Sequence, residues 1–324
     1  MTSSRLRPIR FSTGPRRLRD RAALVEEGRL IEWIGYSTFT VADHFMIPFA
    51  PLLTLQAVAA ATETLRLAQT VLNQDFRHPA VLAKELATLD VLSDGRLEIG
   101  IGAGWMRDEY ERAGLPFDAA STRVERLEEV IVILKGLFGD GSFSFTGKHF
   151  TIADLDGMPK PLQRPHPPIL VGGGGRKVLA LAGRHADIVQ ILPRTVRGRR
   201  PDSTRPFTAE AYEEKISWVR EAAGARFPEI ELGAQLLNLT ITDDPEASFE
   251  AFFQRFAGQL GAAGGTAASR QELRASPMVA IGNLDEVCDK LIQTRERLGI
   301  SYFAAPIGSP PQLLAPVIEF LEGQ

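Results

Sequence analysis

The segment at residues 65–105 constrains the fold more than any other part of the chain. It contains a short apolar run, a polar corner, a helical stretch that begins at Pro79, an Asp94-Gly95 turn and a second apolar run that ends in glycines. This order predicts strand, loop, helix and strand, and the connection is long enough for a right-handed parallel crossover. Polar residues follow the first strand and glycines follow the second, at the edge where α/β proteins bind ligands.

The same alternation of strand and helix recurs along the chain. Short strands rich in Val, Ile and Leu are predicted at residues 9–13, 38–42, 66–70, 97–101, 169–171, 187–192, 230–236 and 302–304. Helical patterns lie between them, such as the stripe formed by Leu82, Leu86, Leu89 and Leu92. The pattern predicts an α/β fold, a (β/α)8 TIM barrel in a single domain over residues 1–324, with a doubly wound open sheet as the alternative.

Three stretches interrupt the alternation and are predicted insertions, at about 140–160, 193–206 and 261–277. The first contains a predicted β-hairpin and the third is rich in glycine and alanine. The second is a proline-bounded basic loop of a length typical of functional loops. Its arginines are Arg194, Arg197, Arg199, Arg200 and Arg205. They are either solvated surface or a binding site for a polyanionic ligand tail.

Charge and composition limit the classes of binding partner and the cellular compartment that the sequence predicts. The formal net charge is -3, so there is no global basic field, and we expect no nucleic-acid or membrane partner. The amino terminus lacks the apolar run of a signal peptide and no stretch approaches the length of a membrane span, which predicts a soluble cytoplasmic protein. Cys288 is the only cysteine and the histidines are scattered, so no disulfide and no metal site are predicted.

Four consecutive glycines, Gly172 to Gly175, precede a predicted helix. Their backbone can approach a ligand closely, and the free N-H groups at the helix start attract phosphate. Gly173, Gly174, Gly175 and Arg176 are therefore candidate phosphate-binding residues, with a tight strand-to-helix turn as the alternative.

A second glycine run, from Gly100 to Trp105, lacks the dinucleotide-binding pattern because tryptophan stands at position 105 and no acidic partner follows at the expected distance. We interpret Gly102, Gly104 and Trp105 as a space for a flat ligand at the barrel mouth.

Asp43 and His44 end the second predicted strand. Histidine titrates near neutrality, which makes His44 the candidate catalytic residue, although a structural histidine is the alternative. Neighbouring strand residues point to opposite sides, so the two side chains are expected to contact different groups. Glu109 and Tyr110 follow Trp105 by one helical turn and either line the mouth or belong to a solvated helix face.

Several segments together resemble the bacterial luciferase-like monooxygenase superfamily. They are VADHF at 41–45, the segment 68–105, the E-Y-x-x-x-G of 109–114 and PILVGGGGRKVLALAGRHADIV at 168–189, with a weaker match at 276–291. The resemblance covers most of the chain from residue 10 to about 191. It implies a TIM barrel that binds a flavin or the deazaflavin coenzyme F420 at the carboxyl ends of its strands.

The resemblance also implies roles for single residues. Asp43 and His44 would face the cofactor ring, and a non-prolyl cis peptide at Thr70-Val71, with Asn73 close by, would support the back of the ring. Gly173, Gly174 and Gly175 would hold the phosphate. A homodimer formed through helices near the second and third strands is expected from the same resemblance.

The Asp-His and Thr-Val pairs resemble the deazaflavin-dependent branch of this superfamily. That branch implies hydride transfer to or from a small organic substrate, with His44 orienting the substrate or exchanging a proton with it. One alternative is a two-component monooxygenase that uses O2 and FMN supplied in reduced form by a separate reductase. A barrel that binds a cofactor or a partner without chemistry is the third possibility.

Overall fold

A closed barrel of parallel strands forms the centre of the protein. The structure is a computed structural model that describes residues 6–16, 19–194, 204–262 and 269–322. The barrel strands are β1 (Arg10–Thr13), β2 (Thr38–Val41), β3 (Arg66–Gln69), β4 (Leu97–Gly102), β5 (Ile169–Gly173), β6 (Ile188–Ile191), β7 (Glu231–Gln235) and β8 (Ile300–Ala304). β8 pairs with β1 and β3 pairs with β4, which closes the sheet. The predicted (β/α)8 barrel is confirmed.

Helices surround the barrel and connect its strands. They are α1 (Arg21–Ile34), α2 (Pro51–Ala59), α3 (Pro79–Leu92), α4 (Arg107–Arg112), α5 (Ala120–Phe138), α6 (Arg176–His185), α7 (Ala209–Ala223), α8 (Pro245–Ala262), α9 (Arg270–Ala275), α10 (Leu284–Leu298) and α11 (Ala315–Leu321). Local sequence fixes several ends. α3 begins at Pro79, whose ring suits a first helical position, and α10 begins with a capping box between Asn283 and Glu286.

Two small sheets lie outside the barrel. The predicted hairpin is present, with antiparallel strands at Ser142–Thr146 and Thr151–Asp156. The second sheet pairs Asn238–Ile241 in parallel with Val279–Gly282, and the sequence reasoning missed it. Its strands are only four residues long and far apart in the chain, so no local turn signal marks the pairing.

Apolar side chains fill the layer between the barrel and its helices, and a smaller cluster fills the barrel itself. That interior cluster consists of Leu170, Ile188 and Tyr302, with Val71 packed against it. In the described ranges, no helix is both long and apolar enough to cross a membrane.

Charged side chains close the amino-terminal end of the barrel. Glu98 accepts hydrogen bonds from Arg10 and Arg66, both at 2.7 Å, and Arg10 also pairs with Glu231 at 2.6 Å. Burial alone would lower the pKa of Arg10, but the surrounding groups, Glu98 foremost, raise it above its usual value. This end is therefore filled by paired charges, and the carboxyl end remains for ligands.

Replacing Glu98 by Leu is expected to lower the free energy of unfolding by about 3 kcal/mol, because two partly buried guanidinium groups lose their shared, buried carboxylate. Urea unfolding followed by circular dichroism measures this change. The control is Arg297→Ala, which removes an ion pair to Glu213 between side chains that are 60% and 47% exposed. It should cost less than about 1 kcal/mol. Equal losses in the two variants would contradict a stabilising role for the buried network.

Candidate active site

The crossing segment, residues 70–78, connects β3 to α3 and crosses the carboxyl end of the barrel. The Thr70-Val71 peptide bond is cis, at the position that the resemblance implies. The Val71 side chain packs against the interior residues Leu170, Ile188 and Tyr302. The next two residues, Leu72–Asn73, extend the sheet by pairing with the end of β4. Val71 therefore caps the apolar interior of the barrel.

The glycines of β4 make room for protein groups. A Cβ atom at Gly100 would lie 1.7 Å from the Gln69 carbonyl oxygen, and one at Gly102 would lie 2.7 Å from the Val71 side chain. At Gly104, which has a φ of +70°, a Cβ atom would lie 1.9 Å from the Tyr110 hydroxyl. The space beside these glycines is thus taken up by the segment after β3 and by Tyr110, and contact of Gly102, Gly104 and Trp105 with a cofactor stays a prediction.

His44 is held by a carboxylate from α4. Its Nδ1 lies 2.9 Å from Glu109 Oε2, and the other Glu109 oxygen accepts the Phe45 N-H. Because a carboxylate only accepts, Nδ1 carries the hydrogen, and Nε2 makes no hydrogen bond within the described chain. The His44 ring also meets Trp105 edge to face, with 5.8 Å between ring centroids. His44 is thus oriented, and Nε2 is its available nitrogen.

Asp43 contacts a different set of groups, as the alternation of strand residues predicts. Its carboxylate accepts hydrogen bonds from Arg77 at 2.6 Å and from the Asn73 N-H at 3.0 Å. The side chain is buried. Asp43 therefore fastens the segment after β3 to the end of β2, and a direct contact with a cofactor stays a prediction.

Glu109 and Tyr110 are 8% and 0% exposed, so the alternative of a solvated helix face is wrong. The Tyr110 hydroxyl lies 2.8 Å from oxygens of both Asn73 and Asp75. Burial, with a contribution from Asp75, raises the pKa of Tyr110 above its usual value. Arg126 of α5 pairs with Asp75 and completes the network. The sequence gives no local signal for these pairs, because their partners come from different elements.

In the glycine turn after β5, only Gly175 has open space beside it among the residues that the structure describes. Gly175 caps α6 without any side-chain cap, and a Cβ atom there would meet nothing within 4 Å. The first-turn N-H groups of α6 thus have no side-chain cap from the described residues, as in anion sites at helix starts. Gly174 packs closely against the chain after β6, because a Cβ atom at this position would lie only 2.4 Å from the Leu192 carbonyl oxygen. Arg176 instead forms an exposed ion pair with Glu221 at 3.1 Å.

A buried lysine fixes the connection that follows β6. Lys215 of α7 is 5% exposed and donates to the carbonyl oxygens of Leu192 at 3.0 Å and Pro206 at 3.4 Å. Burial lowers its pKa to about 8. Of the arginines in this connection, Arg194 and Arg205 are exposed, and Arg197, Arg199 and Arg200 lie outside the described residues.

The stability of the protein is expected to rise between pH 8 and 10.5 because of Lys215, since in that window the unfolded chain retains a proton that the folded chain has released. Below pH 8 both states are charged and the full cost of burying the ammonium group is present. The effect is about 2–3 kcal/mol. Unfolding curves of the wild type and Lys215→Met across this range measure it, and parallel curves would contradict the shifted titration.

In the described part of the chain, no group of three or more His, Cys, Asp or Glu side chains is placed to bind a metal ion. The candidate residues instead form two regions at one end of the barrel. One comprises Asp43, His44, Thr70, Val71, Asn73 and Trp105 with Glu109, and the other comprises Gly173, Gly174 and Gly175 at the start of α6. Ligand sites of TIM barrels lie at this carboxyl-terminal face.

Comparison with known proteins agrees with this architecture. The model of the luciferase-like monooxygenase family matches residues 1–302. The chain belongs to this family.

Two curated relatives use different cofactors according to their names. An FMNH(2)-dependent dimethylsulfone monooxygenase from Pseudomonas putida is 35% identical over 194 residues, which are 59% of this chain and 53% of that protein. An F420-dependent glucose-6-phosphate dehydrogenase from Amycolatopsis mediterranei is 31% identical over 183 residues, which are 54% of this chain and 52% of that protein. The chain thus spans about half the length of the curated relatives it matches.

A solved structure supports the fold over nearly the whole chain. The coenzyme F420 dependent tetrahydromethanopterin reductase from Methanopyrus kandleri superposes with a TM-score of 0.77 and 19% sequence identity, covering 97% of this chain and 98% of that one. At this identity the likeness concerns the fold alone.

Proposed function

We propose that the protein is a coenzyme F420-dependent oxidoreductase that transfers hydride to or from a small organic substrate. The main support is the hydrogen bond between His44 Nδ1 and the Glu109 carboxylate, which orients the imidazole and leaves Nε2 available. When hydride moves to or from a carbon that bears oxygen, a proton must also leave or reach that oxygen. An oriented histidine provides this proton transfer.

The described residues fit a cofactor with a flat ring and a phosphate. Val71 offers an apolar surface over the barrel interior, and Asn73 lies beside it on the crossing segment. The uncapped start of α6 and the open space at Gly175 suit a phosphate group. When bound, the deazaflavin would supply the ring carbon that accepts or donates hydride.

The roles of the protein groups follow from their contacts. His44 Nε2 would accept the substrate proton in one direction and return it in the other. The Glu109 carboxylate would keep the hydrogen on Nδ1 and stabilise the imidazolium that forms. Trp105 packs against the imidazole edge to face and limits its rotation.

A two-component monooxygenase that uses FMN, supplied in reduced form by a separate reductase, is the second candidate. Its support is the 35% identity to the FMNH(2)-dependent enzyme from Pseudomonas putida. The phosphate of FMN would suit the same glycine turn. The two candidates differ in reaction class, because the deazaflavin carbon at position five does not form the stable oxygen adduct of a flavin.

Titration of the purified protein with both cofactors decides between them. We expect F420 to quench protein fluorescence at micromolar concentration, and we expect FMN, oxidised or reduced, to bind at least about tenfold more weakly. Tight FMN binding without F420 binding would contradict the preferred function and favour the monooxygenase.

Replacing His44 by Ala is expected to lower kcat by about 10²- to 10⁴-fold, because the proton acceptor is lost. The Kd for the cofactor should change less than about threefold, since the glycine turn and Val71 are untouched. Glu109→Gln is expected to lower kcat at least about tenfold, because an amide can donate to Nδ1 and favour the wrong tautomer. Steady-state kinetics and cofactor titrations measure both effects. Unchanged turnover in His44→Ala would remove its catalytic role.

A further inference from the structure

Gln190 lies on β6 and faces the interior of the barrel. Ile188, two residues earlier, packs in the interior cluster with Leu170 and Tyr302, and strand residues two apart share a face. In register, Gln190 stands between Gly172 of β5 and Gly233 of β7. Neither neighbour has a side chain, so the groups beside Gln190 come from Leu192, Val71 and Tyr302 instead.

The surroundings of Gln190 offer the amide few partners. A Cβ atom at Gly172 would lie 3.4 Å from both the Leu192 and the Val71 side chains, so the neighbouring interior surface is aliphatic. Gln190 is 7% exposed, and its amide makes no hydrogen bond to other parts of the described chain. Gln190 is not among the residues whose fully buried side-chain nitrogen or oxygen atoms lack a partner. A mostly covered amide that keeps access to solvent can exchange water for a ligand.

Gln235 on the adjacent strand shows the contrast. Its amide nitrogen donates to the carbonyl oxygens of Ala304 at 3.2 Å and of Ala305, and it thereby holds the end of β8. Gln235 is therefore committed to the fold, whereas the Gln190 side chain makes no hydrogen bond to another described residue. Its position beside Val71 places this amide at the carboxyl end of the barrel interior.

We propose that Gln190 binds the pyrimidinedione edge of the cofactor ring and favours the reduced cofactor. This inference rests on the proposed function. The edge alternates carbonyl acceptors with an N-H donor, and a carboxamide provides one donor and one acceptor in matching order. Reduction by hydride adds negative charge to the same ring, so an amide N-H donor stabilises the reduced form more than the oxidised form.

Two substitutions separate the donor from the acceptor. Gln190→Met keeps the length of the side chain and removes both hydrogen bonds. Gln190→Glu keeps an acceptor and replaces the donor with a negative charge. The control is Gln254→Met on α8, whose exposed amide donates only to Glu250 in the same helix.

The experiment measures the Kd of each protein for oxidised and reduced F420 and for oxidised and reduced FMN, under anaerobic conditions, with thermal unfolding as the check on folding. We expect Gln190→Met to bind the oxidised cofactor about tenfold more weakly, and the reduced cofactor about tenfold more weakly again. The additional tenfold loss of affinity for the reduced cofactor corresponds to a fall of about 30 mV in the two-electron reduction potential of the bound cofactor. Gln190→Glu should lose still more affinity for the reduced form, and Gln254→Met should match the wild type.

The outcomes separate this inference from the proposed function. Wild-type binding of F420 together with unchanged affinities in a folded Gln190→Met variant overturns the role of Gln190 alone. Equal losses for oxidised and reduced cofactor overturn the preference for the reduced form. A wild-type protein that binds neither cofactor overturns both the proposed function and this inference.

Discussion

The packing of Val71 into the mouth of the barrel is the contact on which the rest of the site depends. Val71 covers the interior cluster, and the bare α-carbons of Gly100 and Gly102 allow the crossing segment to lie this deep. A side chain at either glycine would displace the backbone after β3. Asn73 would then lose its hydrogen bond to Asp43, and the surface proposed to support the cofactor ring would change. The glycines act through the protein segment that they admit.

Charge pairing decides which groups remain available for chemistry. Arg77 pairs with Asp43 after β2, and Arg126 pairs with Asp75 after β3, so both carboxylates are committed to structure. Glu109 is committed to orienting His44. Within the described ranges, the groups at this end that have no hydrogen-bond partner are then His44 Nε2, the Gln190 amide and the backbone N-H groups at the start of α6. In the proposed function, the imidazole transfers a proton, and the amide and the N-H groups bind the cofactor.

Local patterns predict the eight barrel strands and their order, because each strand carries its apolar run and each helix its own stripe. They also place the candidate ligand-binding residues at strand ends, because the carboxyl ends of parallel strands lie at one face of the barrel. The partners of His44 and Asp43 are harder to predict, because Glu109 and Arg77 reach them from other elements. The groups beside the β4 glycines are hard to predict for a related reason, because a sequence shows where a side chain is missing but not which group fills the space.

Helix α4 links the residue proposed for proton transfer to the residues proposed to support the cofactor. Its neighbouring residues Glu109 and Tyr110 project about 100° apart on a helix, so one reaches the end of β2 and the other reaches the segment after β3. A shift of this short helix therefore moves the imidazole and Asn73 together. Gly104, which packs against the Tyr110 hydroxyl, sets the distance between α4 and the barrel. The position of the His44 imidazole is thus coupled to the same contact that fixes the surface proposed for the cofactor ring.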